Sequence, residues 1–133
     1  MPRGSLATCT LVGLWILVAA FVTAAWRVQV GQARTARQLA DRLGSVEDAI
    51  LDARWDDARR HLAALEDSWR PVRQAWDLFT EASALAEIDT DLRELGAGLA
   101  LQNAPVALSA ARRVRERILR LPERDRLSWE NLF

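Results

Sequence analysis

Lysine and tyrosine are absent from this 133-residue chain, and cysteine and histidine occur once each. Each scarcity closes off a class of chemistry. Cys9 stands alone inside an uncharged run, so neither an intramolecular disulfide nor a thiolate metal site can form. It reads as a small apolar residue, and no apolar region precedes it as a lipid-modified cysteine would require. A metal centre in a helical bundle wants Glu-x-x-His pairs on facing helices. The single histidine, His61, has Ala58 three residues before it, and is expected at the surface or at a cap. Ser5, Ser45, Ser68, Ser83, Ser109 and Ser128 lack the context of a nucleophile elbow. No glycine-rich phosphate loop is present. The 18 basic residues, all arginine, balance 18 acidic ones, so net charge offers no argument for nucleic acid binding. No catalytic constellation emerges. The chain is not expected to be an enzyme, nor to hold a cofactor or a metal.

Against these absences stands one long uncharged run, residues 6–26. About 20 apolar residues match the roughly 30 Å hydrocarbon core of a bilayer at 1.5 Å rise per residue. The run ends in Trp26-Arg27, and these residue types favour the membrane interface and the water boundary. Residues 1–30 therefore read as a short tail and a single-pass anchor in the cell membrane, and 31–133 as one small domain. A cleaved secretory signal is the other reading, with Val22-Thr23-Ala24 followed by Ala25 as its cleavage site. Arg27, Arg34 and Arg37 pull the domain toward the cytoplasm by the positive-inside rule. The very short tail before the run argues the other way, and an extracytoplasmic domain is expected. Ala20 and Ala24 form a small-xxx-small pair of the kind that supports helix pairing in membranes.

Four later stretches carry apolar residues spaced by three and four. They are Ala36, Leu39, Leu43, Val46, Ile50 and Ala53; then Ala58, Leu62, Leu65, Trp69, Val72, Trp76 and Phe79; then Leu85, Ile88, Leu92, Leu95 and Leu99; then Ala107, Ala111, Val114, Ile118 and Leu121. This spacing puts each set on one helix face, and no stretch sustains the alternation of a strand. The expected fold is all-α: an N-terminal transmembrane helix followed by a compact antiparallel bundle of three to four helices. Arg54-Trp55-Asp56-Asp57 separates the first stretch from the second, with two acids suited to a helix start. Gly96 and Gly98 weaken the end of the third. Asn103 caps the fourth, with Pro105 in its first turn, and Pro122 is expected to end it. Pro71 predicts a kink in the second, or a break and restart near Ser68. The third stretch is acidic (Glu81, Glu87, Asp89, Asp91, Glu94) and the fourth basic (Arg112, Arg113, Arg115, Arg117, Arg120). Opposite charge selects them as neighbours, although exposed pairs contribute only about 0 to 1 kcal/mol each.

Several residues are candidates for binding. Trp55, Trp69 and Trp76 could line a ligand pocket or a partner groove; packing is the simpler role, since Trp69 and Trp76 fall on the apolar face. The arginines from Arg112 to Arg120 could meet anionic lipid headgroups, or be solvated or paired within the chain. Glu87, Asp89 and Asp91 cluster as carboxylates, but lack a supporting nucleophile and read as a solvated helix face. Leu132 and Phe133 close an apolar tail. Chain ends fray unless tied down, so these two are expected to dock on the bundle or on a partner.

The uncharged run, Trp55-Asp56-Asp57-Ala58, the Trp69 and Trp76 pair, Glu87-Ile88-Asp89 and the closing Glu130-Asn131-Leu132-Phe133 together resemble an uncharacterised family. It consists of small Gram-positive bacterial proteins with one N-terminal anchor and a helical domain of unknown function. Similar proteins often have a histidine two residues before the glutamate of the triplet; here that position is Leu85. The resemblance implies membrane attachment, no assigned activity, and a packing role for the tryptophans. The expected function is a membrane-anchored interaction module with a protein partner. The alternative is a sensor of small ligands or anionic lipid at the membrane surface.

Overall fold

The computed structural model describes the backbone of residues 4–78 and 80–130 and the side chains of 10–24, 26, 27, 30–78 and 80–123. Among the described residues the chain is all-α, with four helices: α1 (Gly4–Leu51), α2 (Trp55–Trp76), α3 (Ala82–Ala100) and α4 (Ala104–Glu130). It forms two compact units, Met1–Gln32 and Ala33–Phe133.

The first unit is the start of α1. Its described apolar side chains stand in the open on every side of the helix, Trp15 at 72% and Phe21 at 74% exposure among them. Among the described residues no helix is long and apolar enough to cross a membrane. The anchor expected over 6–26 is described only in part, because the side chains of residues 6–9, with Cys9, and of Ala25 lie outside the described residues.

The second unit buries its apolar stripes. Ala36, Leu39, Leu43, Val46 and Ile50 of α1 meet Ala58, Leu62, Leu65, Trp69 and Trp76 of α2, every expected position of α3, and every expected position of α4 in one core. Burial of these stripes is the main stabilising term. Val72 is half-buried against the core, and Phe79 lies outside the described residues. Ala53 departs from the expected stripe. It is exposed, because α1 has already ended at Leu51 and Ala53 forms the turn. Neighbouring helices run antiparallel. Arg42 of α1 donates to Ser68 Oγ of α2 at 2.7 Å, Arg73 of α2 reaches Asp89 of α3, and Arg113 of α4 reaches Asp91 of α3.

The α1–α2 and α3–α4 turns share one construction. Arg54 N–H donates to Ala49 O and Ala53 N–H to Ile50 O; Asn103 N–H donates to Gly98 O and Gln102 N–H to Leu99 O. These are the paired bonds of a Schellman motif. Ala53 (φ 55°) and Gln102 (φ 52°) occupy the left-handed position where glycine is usual. The two helix starts that follow differ. Asn103 Oδ1 accepts from Val106 N–H at 3.3 Å, whereas Arg54 offers α2 no side-chain cap and Asp56 and Asp57 lie in its first turn.

Gly98 lies near the end of α3, which continues to Ala100. α4 comes close here: a Cβ on Gly98 would lie 2.9 Å from Ala107 N and 3.0 Å from Ala107 Cα. Pro71 does not divide α2, which runs unbroken from Trp55 to Trp76. Pro71 and Asp67 are both exposed, so water can satisfy the carbonyl that loses its donor, and burial of Trp69 and Trp76 on either side outweighs the loss. Pro122 does not end α4, whose backbone is helical to Glu130. A proline removes one donor, and the residues after it are mostly good helix formers.

Candidate functional site

The carboxylates of α3 show how one helix serves two neighbours. Glu87 and Asp91 are four apart and share a face, while Asp89 between them points the other way. That opposite face meets α2. Asp89 accepts from the Trp69 indole N–H at 2.9 Å and from Arg73 Nε–H at 2.6 Å. Trp69 in turn meets Trp76 edge-on, with ring centroids 6.0 Å apart and planes at 81°. Both tryptophans are buried. The hydrogen bond that Arg73 donates to Asp89 raises the pKa of Arg73 above its ordinary value.

The Glu87 and Asp91 face meets α4. Arg113 Nε–H donates to Asp91 Oδ1 at 3.0 Å and its Nη2 to Glu94. Those two hydrogen bonds, Asp91 first, raise the Arg113 pKa. Arg117 pairs with Glu87. Its Nε also lies 2.8 Å from Asp91 Oδ2, but the N–H is not aimed at the oxygen and Oδ2 is left without a hydrogen bond. Asp91 is thus an ion-paired carboxylate inside the bundle, its side chain only 8% exposed. This corrects the expectation of a solvated acidic face. The signal was present in the stripe, since position 91 lies three after Ile88 and four before Leu95 and shares their buried face.

The five arginines of α4 therefore part company. Arg113 and Arg117 turn to α3. Arg115 lies 4.0 Å from Glu47 of α1, and Glu47 Oε1 is buried without a hydrogen bond. Arg120 is 3.9 Å from Glu116 one turn back, and Arg112 is exposed. They do not form one cationic face.

Trp55 is half-buried at the start of α2, its ring against the core. It borders an open depression of about 410 Å³ shared with Ala53, Arg54, Asp57, Arg60 and Gln102, so the α1–α2 and α3–α4 turns lie at the same end of the bundle. The charges there are paired. Arg54 bridges Asp52 and Asp57, Arg59 meets Asp56, and Arg60 meets Asp57. Hydrogen bonds from Arg60 and then Arg54 hold the Asp57 carboxyl below its ordinary pKa. His61 is exposed on α2. Leu132 and Phe133 lie outside the described residues. Among the described residues no group of three or more His, Cys, Asp or Glu side chains could hold a metal ion.

What these residues make is a solid helical core stitched by ion pairs that reach from α3 to both neighbours. Residues 32–132 match the family described as Domain of unknown function (DUF4363). The chain belongs to this family. No curated protein and no solved structure matches it. The DUF4363 match spans nearly the whole bundle unit, so the Trp69, Asp89 and Asp91 contacts all lie within it.

Proposed function

We propose that this DUF4363 protein is a membrane-anchored helical interaction module, with residues 6–26 crossing the membrane once and the bundle offered to a protein partner. The reading includes a Gram-positive bacterial cell membrane as its location and an extracytoplasmic bundle. The observation that carries it is the contrast in exposure along α1. Leu11, Leu14, Trp15, Ile16, Leu17, Phe21 and Val22 are all open, whereas Leu39, Leu43 and Val46 on the same helix are closed in the core. A helix apolar all round is at home only in an apolar surround. The uncharged sequence continues through residues 6–9 and reaches the length of a span.

The bundle favours binding by its surface over binding in its interior. Trp69 and Trp76 are buried and pack on each other and on the core, which weakens the reading of these rings as the lining of a small-ligand pocket. Two of the five α4 arginines spend their charge on α3, which weakens the reading of that helix as a lipid sensor. A partner is better placed at the turn end, where Trp55 is half-buried and Leu51 and Leu101 are 66% and 78% exposed.

Alkaline carbonate washing of membranes is expected to leave the full chain in the pellet; release into the wash removes the anchor. C-terminal reporter fusions active only outside the cell are expected to give signal. Pull-down from the same membranes, with and without crosslinker, is expected to recover a partner that Trp55→Ala reduces. Recovery of no protein above background counts against the interaction module.

A further inference from the structure

The arginines of this chain are unevenly committed. In the bundle, Arg54, Arg59, Arg60, Arg73, Arg113 and Arg117 each hold a carboxylate within 3.2 Å. Arg34 and Arg37, which open the buried half of α1, are exposed and hold none among the described residues. Sequence supplies the reason. No acidic residue occurs between Arg3 and Asp41, so Arg34 has no acid one helical turn away, and Arg37 has only Asp41, four residues on, with which it forms no ion pair among the described residues.

Topology sets where these two charges lie. Arg42 meets Ser68, and α1 and α2 run antiparallel, so Arg34 stands level with Trp76. The end of the bundle that carries Arg34 is therefore the end that carries the α2–α3 turn. Leu78 in that turn is 80% exposed. Asp77 and Glu81 flank it, but neither pairs with Arg34 or Arg37, and the field of Asp77 acts on Arg73. Chain length adds the last constraint. Arg34 follows Trp26 by about eight residues, which bounds their separation at about 30 Å along any path.

We propose that Arg34 and Arg37 bind the phosphates of anionic lipid headgroups. This rests on the anchor reading above, and moves the lipid contact from α4 to the start of the bundle. Guanidinium pairs with phosphate through two parallel N–H bonds, and basic residues beside a membrane segment are attracted to anionic lipid at about 1 kcal/mol each. The partner is the lipid surface itself, which the anchor holds within reach of both side chains.

The test reconstitutes the full chain in phosphatidylcholine vesicles carrying either spin-labelled phosphatidylglycerol or spin-labelled phosphatidylcholine, with the label on the acyl chain. The motionally restricted fraction of each lipid is read by electron paramagnetic resonance. Expected is a preference for phosphatidylglycerol of about threefold or more at low salt. It should be lost in Arg34→Gln/Arg37→Gln and at about 1 M salt, where screening is nearly complete, and kept in Arg112→Gln/Arg120→Gln. Equal restriction of the two lipids by the unaltered chain overturns the proposal, and so does a preference that survives Arg34→Gln/Arg37→Gln or follows the α4 pair. Absence of any restricted lipid is a different failure, that of the anchor. Unchanged far-ultraviolet circular dichroism of both variants separates lost contact from lost fold.

Discussion

The bundle consists of two helical hairpins laid out on one plan, and they are held together differently. Leu39, Val46, Ile50, Ala58, Leu65 and Trp69 in the first hairpin correspond position by position, at constant spacing, to Ile88, Leu95, Leu99, Ala107, Val114 and Ile118 in the second. All of these are buried, and both hairpins turn through a Schellman motif with a non-glycine residue in the left-handed position. Where the first has the buried Ala49, the second has Gly98, and α4 enters the space the missing methyl leaves. In the second hairpin the charges cross between the helices, from Arg113 and Arg117 to Asp91. In the first they cluster at the turn, from Arg54 and Arg60 to Asp57. The same hydrophobic plan thus accepts two ways of joining its helices. One is close backbone approach with a buried ion pair; the other is wider side-chain packing with ion pairs in water.

Substitutions that exchange these features test the comparison. The largest effect is expected at Gly98→Val, which drives a side chain into the Ala107 backbone. Destabilisation of about 3 kcal/mol in urea unfolding of the detergent-solubilised chain is expected, against about 1 kcal/mol for Ala49→Gly at the matching position of the first hairpin. Equal losses at the two sites would erase the distinction. Asp91→Asn comes next. It removes the charge that Arg113 and Arg117 share within a bundle interface, and a loss of about 2 kcal/mol is expected. A thermal midpoint unchanged by Asp91→Asn would mean that the pair adds only register.

Smaller and opposite in sign are Ala53→Gly and Gln102→Gly. Each relieves a left-handed residue of its Cβ and is expected to stabilise by about 0.5 to 1 kcal/mol. Similar gains in the two variants would show that the turns are equivalent in energy as well as in form. The smallest effect concerns acid. Asp57 has a lowered folded pKa, so its stabilising contribution is complete above the ordinary carboxylate value and fades as pH falls through the folded one. Asp57→Asn should make unfolding slightly less steep with pH below about 4 and leave it unaltered near neutrality in slope. A steeper acid limb in the variant would reverse the assignment.

Much of this was legible in advance because periodicity is a local property. The stripes from Leu39 to Ile50 and from Leu85 to Leu99 declare their faces through spacing alone, and Asn103 with Pro105 declares a helix start. The opposite charges of α3 and α4 named them as neighbours. The candidate site was less legible. Nothing local says that Asp89 turns to Trp69 while Asp91 turns to Arg113, since that depends on which helix stands on which side of α3.

What the sequence by itself determined is the set of helices, their buried faces and the uncharged run that precedes them, because helix period and transfer from water act residue by residue along the chain. Only the tertiary structure decided that Asp91 lies inside the bundle, that Gly98 admits α4, and that Pro71 is carried within α2. Each of these is a balance between a local cost and a contact with a residue distant in sequence, and the contact exists only once the helices have packed.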